Sequence, residues 1–133
     1  MNRDRRARRM RRCATCALAG MVFLTTACYE GSGPLACTDV FVYGITVEVL
    51  DADSGRPVAD EATLTLQDGP YVETVTSSWD GRSLSGAGER AGTYDLAIER
   101  PGYRSWSRSG IVVNADECHV RGVSLDARLE PLP

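Results

Sequence analysis

The sequence predicts an all-β protein: a small β-sandwich of about seven strands, preceded by a signal peptide. Two observations predict this fold class. From residue 45 onward apolar and polar residues alternate in short runs, and Gly, Pro and Asp cluster between the runs. After the leader, no segment shows the 3.6-residue period of an amphipathic helix. Short alternating strands joined by tight turns are typical of two packed sheets.

A leader precedes the predicted domain. Residues 3–12 carry seven arginines, and an uncharged, proline-free stretch of 15 residues follows at 13–27. This is the pattern of a secretory signal peptide, which we assign to residues 1–27. The apolar stretch is short of the roughly 20 residues that a membrane-spanning helix needs. A basic terminal run is also typical of nucleic-acid-binding arms, but the cleavage site that follows it favours export.

The leader ends in LTTAC (residues 24–28), which resembles the bacterial lipobox, although its leucine lies one place further upstream than usual. The resemblance implies that Cys28 is a lipid anchor and that residues 28–37 form a polar tether. It places the protein in the cell envelope, at the outer membrane if the cell has two, because Tyr29 is not the aspartate that retains lipoproteins in the inner one. Thr25 and Ala27 also fit ordinary signal peptidase, which would release a soluble secreted or periplasmic protein.

The predicted strands follow one another through residues 38–133. Alternation is clearest at 45–51, 62–68 and 93–99, and further candidates are 71–77, 105–114 and 120–129. In the last of these, Val123, Leu125, Ala127 and Leu129 mark the face toward the core. The segment SGAGERAG (85–92) is predicted to be a flexible, solvated loop; the alternative is a loop that presents Glu89 and Arg90 to a partner.

Two motifs carry a resemblance to a known family. The first is a D-x-x-[ST]-G-x-P-[VL] turn after the first strand, and the second is G-x-Y-x-[LV]-x-[VI]-x-x-x-G-Y later in the chain. They fall on Asp51, Ser54, Gly55, Pro57 and Val58, and on Gly92, Tyr94, Leu96, Ile98, Gly102 and Tyr103. Over residues 40–130 the chain resembles a carboxypeptidase regulatory-like domain of the transthyretin-like (prealbumin-like, Ig-like) sandwich type. That resemblance implies a fold and no single function.

Charge limits the partners of the mature chain. From Cys28 onward it has 8 arginines against 17 carboxylates, a net charge of −9. Such a balance argues against nucleic acid and anionic surfaces as partners. We expect a membrane contact through the lipid anchor, together with an envelope protein or a glycan.

Catalytic, cofactor and metal sites are not expected. DADSGRPVADE (51–61) is similar to a calcium loop, but its glycine and last glutamate are each one place out of register, which favours a hairpin turn. His119 is the only histidine; it follows Cys118 in a predicted strand, where neighbours point to opposite faces. An enzyme would need an acidic pair such as Asp116 and Glu117 in a cleft. We therefore predict a non-enzymatic structural or binding module.

The aromatic residues support an alternative function. Trp79, Trp106 and Tyr103, with Tyr71, are large rings on which a sugar could stack. A small sandwich usually takes such rings into its core or its turns, and that is the role we expect. If they are exposed, the domain is instead a carbohydrate-binding module.

The cysteines predict a disulfide. Cys13 and Cys16 leave with the leader, and lipidation of Cys28 leaves Cys37 and Cys118 as an even pair in an oxidising compartment. Cys37 precedes the first strand and Cys118 opens the last. The alternation of the last strand puts Cys118 on the outer face unless a bulge at Gly122 shifts the register.

Overall fold

The computed structural model describes residues 36–133, which form two β-sheets and no helix. The predicted all-β sandwich is thus confirmed, with eight strands rather than about seven. They are β1 (Tyr43–Asp51), β2 (Thr63–Asp68), β3 (Tyr71–Val75), β4 (Ser83–Gly88), β5 (Gly92–Glu99), β6 (Trp106–Ala115), β7 (Val120–Arg121) and β8 (Val123–Leu129). One sheet has the order β4-β1-β8 and the other the order β3-β2-β5-β6-β7. The predicted signal peptide and Cys28 lie outside the described residues.

The alternating residues of the first, second and fifth strands build the core. Their apolar side chains are fully buried or nearly so, and they pack with β4 and β8 between the two sheets: Ile45, Val47, Val49, Leu64, Leu66, Leu84, Tyr94, Leu96, Ile98, Ala127 and Leu129. Val123 and Leu125, predicted on the same face, are only partly buried. None of the described residues forms a helix long and apolar enough to cross a membrane.

The predicted last strand is divided at Gly122. Before it, β7 pairs with β6 in the larger sheet; after it, β8 runs parallel to β1 in the smaller one. A Cβ atom at position 122 would lie 2.9 Å from the carbonyl oxygen of Tyr43, so only glycine allows the chain to pass so close to β1 while it changes sheets. The sequence alternation put Cys118 on the outer face unless the register changed at Gly122, and the strand is indeed broken at that residue.

The prediction of a flexible loop at residues 85–92 is wrong. Residues 85–88 belong to β4, which pairs with β1 along its whole length. The small residues serve close packing, since a Cβ on Gly86 would lie 2.7 Å from Leu66 Cδ1. Arg90 is not free either: it donates to the Asp68 carboxylate at 2.7 Å and to the Tyr94 hydroxyl at 2.8 Å.

The hairpin predicted after β1 forms only in part. Val58 N–H donates to the Val49 carbonyl, and Leu50 and Pro57 form an isolated bridge, so the chain briefly returns beside β1. It then crosses to the other sheet, where β2 begins. The alternation of 62–68 describes burial correctly but does not reveal which sheet the strand joins.

Strand direction gives the sandwich two distinct ends. β1 runs away from the segment 37–42, which we call the lead-in, and β4 returns with Ser83 opposite Glu48 and Gly88 opposite Tyr43. The lead-in end therefore carries residues 37–43, 89–92 and 115–120. The far end carries the loops at 51–61, 76–82 and 100–105.

Candidate functional site

Three loops from different parts of the chain meet at the far end. Arg100 Nε donates to the carbonyl oxygen of Asp60 at 3.0 Å, and the Tyr103 hydroxyl donates to Asp51 Oδ2 at 2.9 Å. Gly81, in the third loop, lies against the Asp60 side chain. These contacts hold the turn after β1, the loop before β4 and the turn after β5 as one surface.

Asp51 organises the first of these loops. Its Oδ1 atom accepts hydrogen bonds from the Ser54 N–H at 2.7 Å, the Ser54 hydroxyl at 2.8 Å and the Asp53 N–H at 3.1 Å. The Ser54 N–H, followed by the Ser54 and Tyr103 hydroxyls, lowers the pKa of Asp51 from 3.8 to about 2. Both carboxylate oxygens are thus occupied by protein donors.

This geometry identifies the loop as a turn closed by its first aspartate. Within residues 36–133 no group of three or more His, Cys, Asp or Glu residues is placed to hold a metal ion. The calcium alternative for DADSGRPVADE has no support in this arrangement.

Two open clefts flank Tyr103, with volumes of about 530 and 320 Å³. Arg100 lines both, and its guanidinium carbon lies 4.8 Å from the centre of the Tyr103 ring. The same guanidinium is 3.7 Å from the Glu61 carboxylate and donates to the main chain. The walls of the clefts are polar, but their central groups already have partners within the protein.

Trp79 is the most exposed large side chain of the far end, with 90% of its surface accessible. The turn that carries it is well ordered by Asp80, whose Oδ1 atom accepts from the N–H groups of Ser83 and Arg82, both at 2.8 Å. These donors, the Ser83 N–H first, lower the pKa of Asp80 from 3.8 to about 2. The turn thus presents an uncovered indole to the solvent.

The four rings considered as a sugar-stacking platform do not share one environment. Tyr71, Tyr103 and Trp106 are half-buried and pack against the core, as expected for structural rings. The prediction of a core or turn-packing role is wrong for Trp79. Nothing in the local sequence distinguished it, because a single tryptophan in a loop has no periodicity from which burial can be inferred.

At the lead-in end, Cys37 and Cys118 form the predicted disulfide, with Cα atoms 5.3 Å apart across 81 residues of sequence. Cys118 does not open a strand: it lies in the turn between β6 and β7. Asp116 closes this turn by accepting from the N–H groups of Cys118 and His119, both at 3.0 Å, which lower its pKa. The turn, rather than a bulge alone, directs Cys118 toward the lead-in.

His119 and Glu89 reinforce the same junction. His119 Nε2 lies 3.0 Å from the Thr38 carbonyl oxygen, and its Nδ1 lies 3.0 Å from Glu89 Oε1. Glu89 also accepts from the Val42 N–H at 2.8 Å, and this bond is the main reason that its pKa is lowered. The expectation that Cys118 and His119 point apart in a strand is wrong, because both lie in a turn and both fasten the lead-in.

Asp116 and Glu117, the acidic pair that an enzyme would need in a cleft, do not line the clefts at either end of the described domain. Asp116 caps its turn and Glu117 is exposed beside it, outside the clefts at the far end. The feature that sequence reasoning missed is an apolar surface at the lead-in end, formed by Val40 (59% exposed), Phe41 (63%) and Tyr43 (50%). The run VFVY before the first strand was the available signal.

No protein-family model matches the chain, and no curated protein is similar to it. Among solved structures, the chain is similar to a protein from Bacteroides uniformis ATCC 8492 described as a "putative carbohydrate binding protein", with 15% sequence identity and a TM-score of 0.48. The match covers 65% of this chain and 40% of the other, so this chain spans well under half the length of that protein. At this identity and TM-score the likeness carries no argument about function.

Proposed function

We propose that the protein is a non-enzymatic module of the cell envelope, anchored by a lipid on Cys28, that presents the far end of its sandwich to a partner. The observation that carries this proposal is the Cys37–Cys118 disulfide. Disulfides persist in oxidising compartments outside the cytoplasm, which fits export by the predicted signal peptide. If the cell has two membranes, the proposed location is the outer one.

The position of the disulfide supports a tether. It joins the lead-in, nine residues after Cys28, to the turn before β7, and it is reinforced by the His119–Thr38 and Glu89–Val42 hydrogen bonds. A segment ahead of the first strand that served only as a terminus would not need three attachments. A domain held to a membrane through that segment benefits from all of them.

The roles of the charged groups support the absence of an activity. Asp51, Asp80 and Asp116 each close a turn, and Glu89 is committed to the lead-in. A general acid or base must instead be within reach of a substrate proton. The described carboxylates with the most strongly lowered pKa values are thus accounted for by turn geometry.

We also propose that the domain belongs to the carboxypeptidase regulatory-like type. The hydrogen bond between Tyr103 and Asp51, which are 52 residues apart in sequence, joins the two motifs that carry this resemblance. A carboxypeptidase regulatory-like domain is compatible with a structural or a binding role.

Lipidation is tested in a bacterial host by labelled palmitate and by partition into detergent. The wild type should carry label and enter the detergent phase, and Cys28→Ser should do neither. The double variant Cys37→Ser/Cys118→Ser is the matched control, since it loses two cysteines but should keep the label. A soluble wild-type product that begins at Cys28 with a free amine would favour the secreted or periplasmic alternative.

A carbohydrate-binding module is the second candidate function, and the exposure of Trp79 favours it. An uncovered indole offers a flat apolar surface, which suits stacking on a sugar ring. In a glycan panel, a ligand should protect tryptophan emission from acrylamide quenching. Trp79→Ala should abolish that protection, whereas Val72→Ala, an exposed apolar site on β3, should leave it unchanged.

A further inference from the structure

The lead-in end carries a preformed apolar surface. Val40, Phe41 and Tyr43 lie within four residues of sequence, with the half-buried Val42 between the two rings, and the Phe41 and Tyr43 rings pack edge to face with centroids 5.1 Å apart. The Phe41 ring also lies directly over Gly88 of β4, so its position is fixed even though more than half of it is exposed. Aromatic and aliphatic side chains that are ordered but uncovered mark an interaction surface.

We propose that this surface, formed by Val40, Phe41 and Tyr43, rests in the interface of the lipid bilayer to which the domain is anchored. The inference depends on the proposed lipid on Cys28 and adds an orientation to it: the lead-in end faces the membrane and the far end, with Trp79, faces away. It assigns the three exposed residues a lipid partner.

The length of the connecting chain selects the bilayer as the occupant. Cys37 is nine residues beyond Cys28 and is fixed to the domain by its disulfide. Nine residues span at most about 30 Å, and the apolar surface begins three residues after Cys37. Short linkers set effective concentrations in the millimolar range, so a surface too weak to hold a free domain on lipid can hold an anchored one.

The chemistry of the surface agrees with this choice. Tyr and other aromatic rings are favoured at membrane interfaces, where the ring body contacts acyl chains and a polar tip stays hydrated. The mature chain has a net charge of −9, which opposes approach to anionic lipid. We therefore expect docking on zwitterionic bilayers and weaker docking when anionic lipid is added.

The test moves the exposed indole from one end of the domain to the other. Lipidated wild type, in which Trp79 reports on the far end, is compared with lipidated Phe41→Trp/Trp79→Phe, in which the new indole reports on the lead-in end. Both proteins keep Trp106, and both are placed in phosphatidylcholine vesicles with or without brominated acyl chains. Melting temperatures in detergent establish that both are folded.

The Phe41→Trp/Trp79→Phe protein should show blue-shifted emission and be quenched about twofold by brominated lipid, since interfacial side chains reach the boundary of the acyl chains. Wild-type emission should be nearly unaffected. Adding phosphatidylglycerol should reduce the quenching of the variant. Equal quenching of the two proteins, or none in either, would overturn the proposed orientation.

The measurements distinguish a wrong proposal about the lipid anchor from a wrong proposal about docking on the bilayer. A protein that enters detergent but shows no quenching at position 41 retains the anchor and refutes the docking. A protein that never acquires lipid refutes both. If emission from position 41 without vesicles moves further to the blue as the protein concentration rises, a second copy is the occupant, and this result refutes the bilayer.

Discussion

Single carboxylates close three of the turns among residues 36–133. Asp51, Asp80 and Asp116 each accept two or more main-chain N–H groups from the residues that follow them. In such turns the carboxylate accepts main-chain N–H groups that would otherwise need water as a partner. This orders a loop that has no hydrophobic core of its own. Asp51 differs from the others because it also accepts from Tyr103, across 52 residues of sequence.

We predict that Asp51→Asn makes the melting temperature less dependent on pH in the acid range. Because the pKa of Asp51 is lowered to about 2 in the folded protein, its charge stabilises the fold at pH values above its unfolded value of 3.8. That contribution is lost as the pH falls through about 2. Thermal melts between about pH 5 and pH 2 should therefore fall more steeply for wild type than for Asp51→Asn.

Asp53→Asn is the control for this prediction. Its carboxylate lies in the same turn and accepts no hydrogen bond from the described residues, while its N–H still donates to Asp51. The Asp53→Asn curve should run parallel to wild type. If the Asp51→Asn curve is also parallel to that of the wild type, Asp51 is not the cause of the loss of stability in acid.

Among the elements, β4 shows how composition can hide a strand. Ser, Gly and Ala have no apolar alternation, so SGAGERAG has the composition of a loop. The strand forms because both of its neighbours need small residues: β1 pairs with it, and Leu66 and Glu73 lie close to Gly86 from the facing sheet. That information is in the tertiary structure and not in the local sequence.

We predict that Gly86→Val destabilises the domain by about 1–3 kcal/mol through overpacking of the core. A Cβ at this position would already lie 2.7 Å from Leu66 Cδ1 and 3.2 Å from Glu73 Oε1. Urea denaturation measures the change. Ser107→Val, on the exposed side of β6, introduces the same side chain into a strand and should change stability little. If both variants lose the same unfolding free energy, the cause is the presence of valine in a strand and not overpacking of the core.

Much of the fold was predictable because burial follows alternation. The inward positions of β1, β2 and β5 were read from period two, and a small sandwich needs little else to specify its core. The far end was not predictable to the same degree. Its contacts join Asp51 to Tyr103 and Asp60 to Arg100, pairs that are 52 and 40 residues apart in sequence. The cysteine pair was an exception, since removal of the leader and use of Cys28 as the predicted lipid anchor left one partner for Cys37.

For the whole molecule, we predict that loss of the disulfide costs about 4–5 kcal/mol of unfolding free energy, because it closes a loop of roughly 80 residues in the unfolded chain. This is a large share of the stability of a small domain. Urea denaturation of Cys37→Ser/Cys118→Ser in a Cys28→Ser background measures it. Reductant should lower the stability of the Cys28→Ser parent to the same level.

Mass spectrometry after alkylation supplies the check on this prediction. The Cys28→Ser parent should take up no alkylating agent until it is reduced and unfolded, and then two equivalents. Two alkylated thiols in the absence of reductant would show that the cysteines are unpaired in the mature protein.

The disulfide also determines how the domain would carry mechanical load. Tension applied between Cys28 and a partner at the far end would enter the fold at Cys37 and pass directly to Cys118, beside β7 and β8. Without the bond, the same pull would peel residues 38–42 away and then load β1, whose seven paired positions with β8 hold the smaller sheet together. Under single-molecule pulling we expect the oxidised domain to extend only after the sheets shear, and the reduced domain to release its amino-terminal segment first at lower force.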